Sequence, residues 1–149
     1  MKAKEFLDGK QIEFKDKIKL LPEKERITKL VEEDYKKEKN SERKLIKWGY
    51  TYSAYIELVS FLLYNAIKMQ DCKSAGQVLK NLDSPYLEID SKIRNSFQHL
   101  DFKIKNEELY AKRKNIEGHS KISLKERNTL LDNVKEIYFE LKEELMNTS

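Results

Sequence analysis

The stretch Ser41 to Met69, SERKLIKWGYTYSAYIELVSFLLYNAIKM, contains no proline and a single glycine. Its apolar positions at Leu45, Tyr52, Ile56, Val59, Leu63 and Ala66 follow a helical period, and Leu58, Phe61 and Leu62 extend the apolar surface almost all the way round. A helix of that kind has to be packed on several sides, so the remainder of the chain must be arranged around it. One polar edge remains, formed by Tyr50, Ser53, Glu57, Ser60, Tyr64 and Lys68. It reads as a solvent or interface stripe, with Glu57 the residue on it suited to support a site. Four glycines and two prolines in 149 residues, against 38% charged residues, favour long helices over a turn-rich sheet protein. The expected fold class is all-α, and the length suits one domain spanning residues 1–149.

Further helices are expected on both sides of the central one. LLPEKERITKLVEEDYKKEKN places Pro22 in a first helical turn, with Ile27, Leu30 and Val31 as a narrow apolar stripe and a charged, exposed second half. Residues 1–40 are thus a helical extension. KSAGQVLKNL reads as a short helix ended by DSP, after which Ser84 can cap a helix running from about Pro85 to Leu100. A last helix opens at Ser123, whose spacing to Glu126 is that of a capping box, and its core stripe is Leu130, Val134, Ile137, Tyr138, Leu141 and Leu145. Between these two helices, DFKIKNEELYAKRKNIEGHSKI has no helical order and is longer than an ordinary connector, so residues 102–122 are expected to be an irregular, basic insertion or a hairpin.

Thirty basic residues against 26 acidic ones leave a formal charge of +4, spread through mixed-sign segments. That balance permits a nucleic-acid partner without requiring one. Cys72 is the only cysteine, which excludes an internal disulfide framework and a cysteine-based zinc cluster and fits a cytoplasmic setting. The most apolar run, LVSFLLYNAI, is too short to cross a bilayer, and the N-terminus has no apolar run of signal-peptide type, so no membrane association is expected. No Gly-rich phosphate loop, HExxH pair or acidic Ca²⁺ loop is present, and neither a metal nor another cofactor is expected. His119, in IEGHSK, reads as a turn residue, and Cys72 as an incidental, partly buried thiol.

The candidate chemistry lies in IRNSFQHLDF, residues 93–102. At about 100° per residue, Ile89, Ile93, Phe97 and Leu100 fall within about 80° of one another and form a core face. Arg94, Asn95, Gln98 and His99 spread over about 140° on the other side. Histidine can exchange a proton near neutral pH, and arginine offers a permanent planar donor fork to a phosphate or a pentacoordinate transition state. Asn95, four residues before His99, can orient the imidazole or donate to a phosphate oxygen. Together these groups suffice for metal-free RNA cleavage, in which the 2′-OH attacks the neighbouring phosphate. A second copy of the same helix, closing over this face, would let Arg94 and His99 serve one phosphate. The basic run Lys112, Arg113 and Lys114 is a further candidate for substrate binding, as is Gln98.

Arg94-Asn95, three residues and then His99 resembles the R-(N/H/D)-x-x-x-H form of the Rx4–6H signature of HEPN domains. The setting is similar too: a long apolar helix beforehand, the motif late in another helix, then an irregular segment and an amphipathic final helix. The resemblance spans residues 41–146 in organisation. It implies an all-α bundle of four to five helices that dimerises with its motif helices meeting in a cleft. It also implies a metal-independent endoribonuclease, acting as a toxin of a toxin–antitoxin pair or as an antiviral defence effector, with RNA as substrate and an antitoxin or regulatory protein as partner. Carried over, Arg94 stabilises the phosphate, His99 is the general acid–base and Asn95 assists. Some toxin members carry a modifiable tyrosine two residues after the histidine, and this chain departs from that pattern with Asp101. Other members are silent binding modules, so a non-catalytic helical module for nucleotide, RNA or protein stands as the alternative reading. A structural dimer built on the tyrosine-rich edge is a third.

Overall fold

In the computed structural model, which describes residues 2–69, 72–82 and 87–147, six helices and three strands follow one another. They are α1 (Lys2–Leu7), a 3₁₀ turn (Asp16–Leu20), α2 (Leu21–Lys37), α3 (Ser41–Ala66), α4 (Ala75–Asn81), α5 (Ser91–Gln98), β1 (Phe102–Lys105), β2 (Glu108–Arg113), β3 (Ile116–Ile122) and α6 (Leu124–Met146). The central helix is α3, opened by Asn40, whose side chain accepts from the Arg43 N–H at 2.9 Å. It packs against α2, α4, α5 and α6, with Trp48, Tyr52, Ile56, Val59, Leu62 and Leu63 fully buried. Trp48 stacks on Tyr52 at 5.2 Å between ring centres and donates its indole N–H to the Arg127 carbonyl of α6 at 3.1 Å. The polar edge of α3 is only partly open. Ser60 is buried and donates to the Ala75 carbonyl at the start of α4, whereas Tyr50, Glu57 and Lys68 are exposed.

From Ala3 onwards the N-terminal extension shares this core. Ala3, Phe6 and Leu7 of α1 are buried, α1 packs on α6, and residues 11–15 run along the end of α3 through the Ile12–Ile67 bridge. The stripe expected on α2 is turned outward: Ile27 and Leu30 are 50% and 52% exposed, and Val31 is only half-buried. The inward face carries Thr28 and Glu32 instead. That inversion is tolerated because Glu32 accepts from the Tyr55 hydroxyl at 2.8 Å and from Lys135 at 2.7 Å, so no carboxylate oxygen is buried unpaired.

The all-α expectation is overturned. Residues 102–122 form a three-stranded antiparallel sheet in the order β1-β2-β3, so the fold is mixed α and β. The cause is a period-two pattern inside the charged segment: Phe102, Ile104, Leu109, Ala111 and Ile122 face the core, while Lys103, Lys105, Lys112 and Lys121 face out. The first turn places Asn106 and Glu107 at φ 52° and 60°, a two-residue type I′ hairpin without the usual glycine.

The motif helix is shorter than expected. It starts at Ser91, with Asp90 as N-cap accepting from the Lys92 and Ile93 N–H groups at 3.1 and 3.4 Å. The expected cap Ser84 and first-turn Pro85 lie outside the described residues. At its other end, Leu100 takes φ 56°, with Leu100 N–H bonded to Phe97 O and Asp101 N–H to Ser96 O at 2.6 Å, the two bonds of a Schellman motif. The reversal carries Leu100 out of the core stripe assigned to it and leaves it 71% exposed. Phe97 anchors the helix, seated on Gly49 of α3 so closely that any Cβ there would overlap its ring, and stacked on Phe102 at 4.4 Å.

Candidate active site

Phe97 and Ile93 fix the rotation of α5, and everything functional follows from that rotation. With both side chains buried, Asn95, Gln98 and His99 are exposed and Arg94 is half-buried. His99 is the C-cap residue: its N–H bonds to the Asn95 and Phe97 carbonyls, and its imidazole has no hydrogen-bond partner among the described residues.

The two sides of this face meet different neighbours. Towards α3, Arg94 forms an ion pair with Glu57 and donates from Nη1 to Asn95 Oδ1 at 3.2 Å, which leaves its side chain only 16% exposed. Glu57 thus engages the motif arginine directly. Towards the sheet, Lys92, Asn95 and Ser96 line a cleft of about 400 Å³ with Lys112, Arg113, Ile116, Glu117 and Gly118 opposite. His99, the C-cap residue, lies one helical turn beyond Asn95 and outside the residues that line this cleft.

The basic run is divided by the strand geometry. Lys112 lines the cleft, donates its backbone N–H to Ser96 Oγ at 3.1 Å and pairs through Nζ with Asp101 at 2.8 Å. Arg113 lines it too but is held by Glu126, whose carboxyl that guanidinium keeps below the ordinary range. Lys114 is drawn away: its backbone N–H bonds to Asp90 at 3.2 Å and its Nζ to the Ile89 carbonyl at 3.1 Å. Asp90 therefore stitches the start of α5 to the β2–β3 turn, and burial pushes its carboxyl up despite those backbone donors.

His119, expected in a turn, lies in β3, and with Asp101 it adds a pair not among the expected site residues. The register pairs Lys112 with His119 on the outer face of the sheet, and His119 Nε2 lies 2.9 Å from Asp101 Oδ1 and 3.3 Å from its carbonyl. Lys112 first, and His119 second, hold the Asp101 carboxyl below its ordinary value. An ionised carboxylate only accepts, so the proton of the neutral imidazole sits on Nε2, and Nδ1 is the nitrogen left for exchange. The signal for this was the alternation along residues 109–122, which puts 112 and 119 on one face once the hairpin is recognised.

Among the described residues, no group of three or more His, Cys, Asp or Glu is gathered that could hold a metal ion, and no helix is long and apolar enough to cross a membrane. Cys72 is half-buried, with its Sγ accepting from Asn81. No family model, no curated protein and no solved structure matches the chain.

Proposed function

We propose that the protein is a metal-independent endoribonuclease of HEPN type, cleaving RNA by 2′-OH attack at a site completed by a second copy of the chain. The observation that carries this reading is His99, exposed and unpartnered among the described residues, one helical turn beyond Asn95, which lines a cleft together with Lys92, Lys112 and Arg113. An exchangeable ring nitrogen next to fixed positive charge is what cleavage of a phosphodiester requires. Arg94 and His99 stand about 140° apart around α5, so one phosphate reaches both more readily across a two-fold axis than within one protomer. Arg94 would exchange Glu57 for the phosphate as substrate enters. Such an activity suits a cytoplasmic toxin or phage-defence effector, restrained by an antitoxin or regulatory protein.

A second reading rests on the Arg94–Glu57 pair. With its guanidinium already neutralised, the face could bind RNA, a nucleotide or a protein without turning it over. Cleavage in EDTA separates the two. The first reading expects products with 2′,3′-cyclic phosphate and 5′-OH ends, lost at least 100-fold in His99→Ala and Arg94→Ala, both still folded by circular dichroism. Binding without turnover that falls steeply with salt is the outcome of the second. Growth arrest on expression, relieved by His99→Ala, tests the cellular role.

A further inference from the structure

The chain has two histidines: the fold brings His119 onto Asp101, and His99 lies two residues before Asp101 along the chain. His119, eighteen residues after Asp101, bonds to both its carboxylate and its carbonyl. At full chain extension the His119 ring nitrogen is therefore within roughly 13 Å of the His99 Cα. The exposed His99 side chain spans part of that gap. Lys112 ties this end to the cleft, because the same side chain lines the cleft and pairs with Asp101.

We propose that His99 and His119 form a two-histidine site for a ribonucleotide phosphate at the foot of the cleft, with Asp101 positioning His119 and Lys112 supplying charge. The site deepens the ribonuclease reading and rests on it for its chemistry. In the cleavage step, His99 takes the proton of the 2′-OH as the 2′-oxygen bonds to phosphorus. The P–O5′ bond breaks, and protonated His119 delivers its proton to the departing 5′-oxygen. The products are a 2′,3′-cyclic phosphate and a 5′-OH, and the two histidines end with their protonation states exchanged. One protomer thus holds both proton-transfer groups, and the two-fold partner is needed only for the phosphate contact of Arg94.

The test needs no turnover. Two histidines give two imidazole Hε1 resonances, assigned with His99→Ala, and uridine 3′-monophosphate is the probe. Both resonances are expected to shift with one common Kd, and His119→Gln and Asp101→Asn, each checked for an unchanged melting temperature, should weaken binding at least fivefold. A titration in which His99 alone responds, or neither does, overturns the site. If both respond but RNA is not cut, the site stands and the ribonuclease reading falls. If RNA is cut in a His99-dependent way and His119→Gln cuts at the wild-type rate, the ribonuclease reading stands and the two-histidine site falls.

Discussion

Two clusters of charged and hydroxyl side chains lie on opposite flanks of α3. At the α2–α3–α6 junction, Glu32 is buried and saturated by Tyr55 and Lys135, while Lys142 grips both oxygens of Glu25 at 2.8 and 2.9 Å. Burial pushes Glu32 upward, but those donors outweigh it and hold its carboxyl below the ordinary range. Burial and the neighbouring glutamates push the Tyr55 and Tyr138 hydroxyls far up. At the other cluster, around α5 and the sheet, His99 is exposed, one helical turn beyond the cleft-lining Asn95. The first cluster contains more buried charge and the second more chemical freedom. Density of ionisable groups goes with the saturated network here, whereas the proposed site has an open histidine without a partner among the described residues.

The comparison can be broken first at the structural cluster. Glu32→Ala leaves Lys135 and Tyr55 without their acceptor and should cost about 3 kcal/mol in a urea melt, with RNA cleavage per folded molecule unchanged. Because Glu32 is held below its unfolded value, its contribution is present above the ordinary glutamate range and lost as pH falls through the folded value. The wild type should therefore lose stability more steeply in acid than Glu32→Gln does. Asp90 has the opposite sign: its carboxyl is raised, so its contribution is fully present below the unfolded value and declines as pH rises through the folded one.

A smaller effect is expected at the hinge between the clusters. Glu57→Gln removes the charge that occupies Arg94, and RNA affinity at low salt should rise about threefold with stability little changed, because the Glu57 carboxylate is half-exposed. Lower affinity in this variant would mean that Glu57 positions Arg94 rather than masking it. The smallest effect is at the end of α5. Leu100 holds a left-handed conformation that glycine adopts freely, so Leu100→Gly should stabilise the protein by about 0.5–1 kcal/mol in the same melt. A loss of cleavage on that change would tie the exposed Leu100 side chain to the site.

These positions also show what the sequence could and could not convey. The central helix, the Ser123–Glu126 capping box and the outward turn of Asn95, Gln98 and His99 were legible, because each depends on residues within a few turns of one another, whereas Arg94 is drawn in against Glu57 of α3. For residues 102–122 a hairpin was one of two alternatives, but the three-stranded sheet was not legible, because its turns use Asn106-Glu107 and Lys114-Asn115 in place of glycine pairs, and its alternation is buried in lysines. His119 was lost with it, since its partner Asp101 is a neighbour only through the three-stranded register. The stripe on α2 misled because the hydrophobic rule failed locally: Glu32 is buried by virtue of partners 23 and 103 residues away. Leu100 left the core because the chain reverses at that residue, and nothing in a leucine announces a left-handed turn.

In the proposed function the open cluster, and not the saturated one, is chemically active. This is tested most directly by single-turnover RNA cleavage in EDTA, with His99→Ala and Glu32→Gln assayed side by side at equal folded concentration. A loss of 100-fold or more is expected in His99→Ala, and the wild-type rate in Glu32→Gln. Equal rates in wild type and His99→Ala would contradict it.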